Sequence, residues 1–275
     1  MKSLSIILVF GMFSMIMQCQ TESHASAKGV LLEDLTWVEA EKALTPQTVV
    51  VIPLGAESKE HGPHLKLKND WLIAQYLKNR VLEQAETVIA PTLNYSYYPA
   101  FVEYPGSTSL RLETARDTVV DICRSLARYG PRRFYVINTG ISTLAALKPA
   151  SELLASEGII LRYTDIVKIT ELVEKEVSKQ EGGTHADEVE TSIMLYIAPE
   201  SVDMKKAVKD YHAGKGKLTR NPKATEGVFS PTGTWGDPTL ATLEKGRKLT
   251  DALVQGVLKE IEDLRRNPIP EQHKQ

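Results

Sequence analysis

Behind Lys2 the chain runs apolar from Leu4 to Met17, shorter than the ~20 residues a spanning helix needs and matching the apolar part of an export signal. A polar stretch, Gln20 to Lys28, separates it from the remainder, where apolar and polar positions settle into blocks. Leu35 to Leu44 is a short amphipathic segment. Thr48 to Leu54 is continuous, β-branched and bounded by turn residues, which predicts a strand buried on both faces. Leu72, Ile73, Tyr76 and Leu77 recur at helical spacing behind Asp70, so a helix is expected from an Asp70 N-cap to about Gln84. Further strands are predicted at Thr87 to Ala90, Arg133 to Ile137 and Ile159 to Tyr163, and helices at Leu112 to Tyr129, Ser142 to Glu157, Thr184 to Ile197 and Pro238 to Arg265. Strand and helix in turn predict an α/β fold, a three-layer sandwich with a central, mostly parallel sheet.

The same pattern divides the chain into a leader at 1–27, one α/β domain at 28–266 and a flexible tail at 267–275. Two processing routes stand open for the leader: cleavage after Ala25-Ser26-Ala27, or lipidation at Cys19 within the loose box Ile16-Met17-Gln18-Cys19. Either implies export to the periplasm or cell envelope, with membrane contact only through a lipid on Cys19. Cys123 is then the one cysteine of the mature domain, so no internal disulfide can form, and a core role is expected for it. Lys205 to Trp235 is rich in Lys, Gly, Thr and Pro and reads as a long loop, of a length usually functional or disordered.

Composition narrows the partners. With 42% hydrophobic residues in 275 and a formal net charge of −2, the chain can bury a full core and has no basic field for nucleic acid. A small-molecule substrate is the better expectation, because His61, His64 and His185 sit in segments crowded with carboxylates. The first segment, Gly55 to Asp70, carries Glu60-His61-Gly62-Pro63-His64 where a strand gives way to a helix, the place open parallel sheets keep their ligands. Imidazole and carboxylate together are divalent-metal ligands, and the Gly62-Pro63 turn aims the two histidines differently. The second segment, Gly182 to Ser192, holds His185-Ala186-Asp187-Glu188-Val189-Glu190-Thr191-Ser192. Thr184 with Asp187 forms a capping-box-like start that accounts for some of the acids, but not for His185 or the flexible Gly182-Gly183.

Together these segments resemble the creatininase (creatinine amidohydrolase) family, whose members show E-Q-H-G-P-H-L followed by an aspartate, and later H-A-G-E-x-E-T-S. Here Glu60 to Leu65 with Asp70, and His185 to Ser192, follow that order. Tyr104 to Leu110 and Gly236-Asp237-Pro238 match two further family segments. The resemblance implies an α/β fold, frequent assembly as a hexamer, and a divalent-metal centre hydrolysing a cyclic or other non-peptide amide. It implies metal-ligand roles for His61, Asp70 and Glu190, and proton transfer by His185. Glu60 joins the expected ligands, Glu188 the expected catalytic groups, and His64, Glu103 and Tyr98 the expected substrate contacts, Tyr98 as part of an aromatic cluster with Tyr95, Tyr97 and Phe101.

Two positions depart from the family pattern. Its ligand glutamate falls on Lys59, with Glu60 or Glu57 as substitutes, and its ligand histidine aligns with Gly140, in a stretch where Ser142 is expected to cap the next helix. One metal site of Zn, Mn or Fe is therefore expected rather than two. Two readings follow: a metal-dependent hydrolase, or a catalytically degenerate relative that binds a ligand or partner.

Overall fold

The strand β2 (Val49–Leu54) is buried at every position, and its side chains alternate between two cores. Val49 and Val51 face one apolar cluster, while Val50, Ile52 and Leu54 face another. This period-two division of an all-apolar strand is what a sheet covered on both sides requires. The protein, seen in a computed structural model that describes residues 27–268, carries β2 at the centre of a five-stranded parallel sheet. The other strands are β1 (Val30–Leu31), β3 (Val88–Ile89), β4 (Arg133–Asn138) and β5 (Ile160–Tyr163), in the order β1-β3-β2-β4-β5. β2 and β4 pair along their whole length, from Val49 opposite Arg133 to Leu54 opposite Asn138.

Helices supply the outer layers. α1 (Trp37–Ala43) begins on a capping box between Thr36 and Glu39. α3 (Leu112–Ala127) and α4 (Leu144–Ala155) cover one face through Val119, Cys123, Leu147 and Leu154. α2 (Asn69–Gln84), α6 (Glu188–Ile197) and α7 (Leu243–Arg266) cover the other through Ile73, Leu77, Ile193, Leu253 and Val257. Cys123 is fully buried and unpaired, and burial pushes its thiol up.

Several boundaries differ from the sequence pattern. α5 (Ile166–Val177) is an additional helix, capped by Asp165, in a stretch where no element was predicted. α6 starts later than expected because Asp187, not Thr184, caps it by accepting from the amides of Val189 and Glu190. Ser142 is not the cap of α4: the preceding residue is Thr143, whose hydroxyl donates to Asn138 Oδ1 at 2.5 Å and to the Gly140 carbonyl at 2.6 Å. The stretch from Lys205 is irregular apart from two short paired strands, β6 (Leu218–Thr219) and β7 (Val228–Phe229). The leader expected at 1–27, with Cys19, lies outside the described residues but for its last residue, and the tail expected at 267–275 is described only at its first two residues. Among the described residues no helix is long and apolar enough to cross a membrane.

Candidate functional site

β2 ends at Leu54 on the edge of the sheet where the parallel strands point their C-termini, and the chain returns as α2. Gly55 makes that return possible: a methyl there would collide with the Asp70 carbonyl and stand 2.8 Å from Ala74 Cβ. Within the excursion between them Lys59, Glu60, His61 and His64 are buried, while Glu57, Pro63 and Lys66 to Lys68 are exposed. His61 is fully buried, with Nδ1 2.9 Å from the Lys59 carbonyl oxygen and Nε2 2.8 Å from Asp70 Oδ1. Asp70 is the second residue of α2 rather than its cap, and its Oδ2 lies 2.6 Å from Lys59 Nζ. Burial opposes ionisation of Asp70, but Lys59 and His61 outweigh it and hold its carboxyl well below the usual carboxylate range.

A carbonyl oxygen only accepts, so the proton of His61 belongs on Nδ1, and a neutral ring turns a lone pair at Nε2 toward Asp70 Oδ1. Two acceptors that close need a cation between them, either a second ring proton or a metal ion.

The second segment approaches from the opposite side. Gly183 has φ +105°, and a side chain there would collide with the Trp235 carbonyl. This close approach lets His185 and Trp235 exchange backbone hydrogen bonds of 3.3 and 2.8 Å. Ala186 follows with φ 47°, the one non-glycine residue in the left-handed region among those described, and its amide donates to Glu190 Oε2 at 2.5 Å. His185 Nε2 lies 3.2 Å from Glu60 Oε2, and His185 Nδ1 lies 3.7 Å from Glu190 Oε2. Burial disfavours the imidazolium, yet Glu60 and Glu190 raise His185 above the ordinary histidine value. Reciprocally, burial opposes ionisation of Glu60, but His185 and the Gly62 amide pull its carboxyl down.

Among the described residues, His61, His185 and Glu190 each offer one ligand atom within 4.8 Å of the others. Both histidines engage the other ring nitrogen, His61 with a carbonyl and His185 with the Glu60 carboxylate, the arrangement that orients metal-binding imidazoles. Three protein ligands with room for a further one are the donor set of a catalytic divalent site. The residues present therefore fit a divalent cation, with Asp70 beside His61 and Glu60 behind His185.

The other expected site residues lie elsewhere. Glu188 faces away: its Oε2 accepts from the amides of Lys179 and Gln180, each at 2.7 Å, and its Oε1 pairs with Lys245. It ties α6 to the end of α5 and to α7 and does not reach the cluster. Glu103 accepts from Thr219 Oγ1 and the Arg220 amide, each at 2.9 Å, and so anchors β6. His64 is buried with Nε2 2.8 Å from Thr191 Oγ1, and burial pushes it down to about 4. Tyr98 is buried, with its ring centroid 5.6 Å from Lys59 Nζ, and neither it nor His64 forms the cavity wall.

That cavity, about 260 Å³, is lined on its polar side by Lys59, His185 and Glu190. Its apolar side includes Phe101, Ile141 and Trp235, and the ring of Phe101 packs 4.3 Å from that of His185. Ile166, Val167 and Glu174 add a wall from α5 that the sequence pattern did not place. Trp235 belongs to the end of the long loop, where only loop length hinted at a role.

Known proteins resemble this chain over most of its length. The family model for creatininase, described as creatinine amidohydrolase, matches residues 33–261. Creatinine amidohydrolase of Pseudomonas putida is 28% identical over 256 residues, covering 86% of this chain and 98% of that protein. The mycofactocin precursor peptide peptidase of Mycolicibacterium smegmatis is 28% identical over 217 residues, covering 76% of this chain and 82% of that one. A crystal structure of creatininase superposes with a TM-score of 0.73 at 27% identity, covering 88% of this chain and all of the other. Solved creatininases include a manganese form and a variant of Zn-Zn type, both with a TM-score of 0.71. Matched over most of its length by the family model, the chain belongs to the creatininase family.

Proposed function

We propose that the protein is a metal-dependent amidohydrolase that cleaves an amide C–N bond of a small substrate. The observation that carries this reading is the convergence of His61, His185 and Glu190, with both histidines oriented through their second nitrogen. A divalent ion held there supplies Lewis acidity toward a carbonyl oxygen and a water ionised near neutral pH. The chain's own residues do the remainder. Glu60 fixes the proton of His185 on Nε2, so Nδ1 stays an electron-pair donor toward the cluster. The Lys59 carbonyl does the same for His61, freeing Nε2. Phe101, Ile141 and Trp235 exclude water from one side of the cavity and select a compact, largely apolar body.

Two expected assignments, Glu60 as a substitute ligand and the proton transfer by His185 that the resemblance implies, change in this reading. Glu60 passes from ligand to the carboxylate that orients a ligand, and His185 passes from proton transfer to ligand. The substrate class also widens. A relative named as a peptide peptidase removes the reason to restrict the bond to non-peptide amides, so cyclic and linear amides both belong in the assay.

The test is amine release from a panel of cyclic and linear amides, before and after chelation and with zinc or manganese restored. Turnover that disappears on chelation and returns with metal is expected. A protein that holds metal yet turns over nothing in the panel points to the ligand-binding relative instead. We further propose export, by cleavage before Lys28 or lipidation at Cys19, and assembly as a homo-oligomer. Mass spectrometry of the mature N-terminus and light scattering after size exclusion test these, and an intact Met1 or a monomer contradicts them.

A further inference from the structure

The Lys59 side chain is the group at this site that the proposed metal chemistry leaves without a role. Its side chain is 4% exposed, its Nζ lies 2.6 Å from Asp70 Oδ2, and the ring centroids of Phe101 and Tyr98 lie 4.7 and 5.6 Å from that nitrogen. A lysine is almost never this buried without a partner. Here the Asp70 carboxylate compensates its charge, and two aromatic faces add cation–π attraction. Asp70 is thus divided: Oδ1 faces His61 and the candidate metal cluster, while Oδ2 is taken by an ammonium. A carboxylate with one oxygen toward each of two cations is the arrangement expected between paired metal ions, and a solved creatininase of Zn-Zn type holds two.

Resting on the metal-dependent reading above, we propose that the Lys59 ammonium occupies the place of a second metal ion, so that the centre pairs one divalent cation with one lysine. The packing on the far side agrees. At position 140, where a ligand side chain would have to stand, an added Cβ would meet Thr143 Oγ1 at 3.2 Å, Thr143 Cγ2 at 3.4 Å and Tyr98 Cε1 at 3.7 Å. Thr143 is held there by its bonds to Asn138 and the Gly140 carbonyl, so a side chain at 140 would have to press Thr143 back by a few tenths of an ångström. Lys59 is also in the cavity wall. With three donors and one carboxylate partner in view, it keeps hydrogens for the carbonyl or carboxylate oxygen of a bound substrate, the contact a second ion would otherwise make.

Metal counting on the full folded domain tests this. Wild-type protein, Lys59→Glu and Lys59→Gln are each saturated with zinc or with manganese, dialysed, and analysed by elemental mass spectrometry, with circular dichroism to establish folding. The expected result is one ion per chain in the wild type and in Lys59→Gln, which removes the cation without adding a ligand, and two in Lys59→Glu, where a carboxylate replaces the ammonium beside Asp70 Oδ2. Two ions per wild-type chain overturn this inference alone and leave the metal-dependent reading standing. So does a single ion in both the wild type and a folded Lys59→Glu, since the place of the ammonium then takes no ion even with a carboxylate there. No ion in any of them overturns the inference and the metal-dependent reading together.

Discussion

The two polar segments at 55–70 and 182–192 are built from similar residue types, and the fold puts them to different uses. In the first, the charges cancel internally: Lys59 and Asp70 form a buried pair, and His61 stands between Asp70 and the Lys59 carbonyl. In the second, the acids diverge. Glu188 and Glu190 are two positions apart on α6, so about 200° of helix rotation separates them. One reaches Lys179, Gln180 and Lys245, and the other turns back to Ala186 and His185. A carboxylate in such a segment is therefore a site residue or a strut according to its phase on the backbone, and its neighbours in sequence do not say which.

Removing the divergence gives the largest expected effects. His185→Ala and Glu190→Gln each lose a ligand, so both are expected to lose the bound metal and to drop turnover to background, measured by metal content and amine release. If His185→Ala keeps its metal and loses only turnover, the residue is the proton-transfer group that the family resemblance implied, and general acid–base groups typically contribute about 10²- to 10⁴-fold.

Glu188→Gln should do the reverse, keeping the metal while costing about 3 kcal/mol of stability, because it breaks a buried ion pair and leaves Lys245 uncompensated. Burial opposes ionisation of Glu188, but Lys245 and the amides of Lys179 and Gln180 outweigh it and hold its carboxyl low. A depressed carboxylate stabilises above its unfolded pKa and loses that contribution as pH falls through the folded one. The deficit of Glu188→Gln in urea denaturation should therefore be full at pH 7 and shrink toward acid. A deficit independent of pH would mean that shape rather than charge is lost.

His64 sharpens the first segment in the opposite sense. Its folded value, near 4, lies below the ordinary histidine value, so the unfolded chain takes up a proton first as pH falls, and stability declines between about 6.5 and 4. His64→Gln should flatten that decline in the metal-free protein, followed by urea midpoints at pH 7 and 5. An unchanged slope would place the acid sensitivity in another group. The smallest effect belongs to a cap remote from both segments: Thr36→Ala should cost about 1 kcal/mol through loss of the box with Glu39, and leave metal content and turnover unchanged.

The centre of the sheet was legible in the sequence because β2 and β4 are buried at every position and have little choice of residue, whereas the two-residue edge strand β1, exposed at Val30, was not. β2, β4 and β5 appear within about a residue of the predicted bounds, and α2 and α3 within about two. α5 escaped because it sits between β5 and the second polar segment, and with it went the cavity wall of Ile166, Val167 and Glu174. At the site, histidine spacing pointed to His61 and His185 but could not tell Glu190 from Glu188. For Lys59 the sequence offered an absent ligand and a cation that would repel a second ion, but not the pair with Asp70, which depends on the chain folding back at Gly55. Glu103 was drawn in by its aromatic neighbours, while its carboxylate answers to Thr219, Arg220 and Lys217, distant in sequence.

The most direct test of the centre is its location by anomalous scattering in a crystal of the zinc-loaded protein, with data on both sides of the zinc absorption edge. One zinc peak per chain is expected, bounded by His61, His185 and Glu190, with Lys59 still paired to Asp70. No peak among those three side chains, or one that His185 does not touch, would contradict the account.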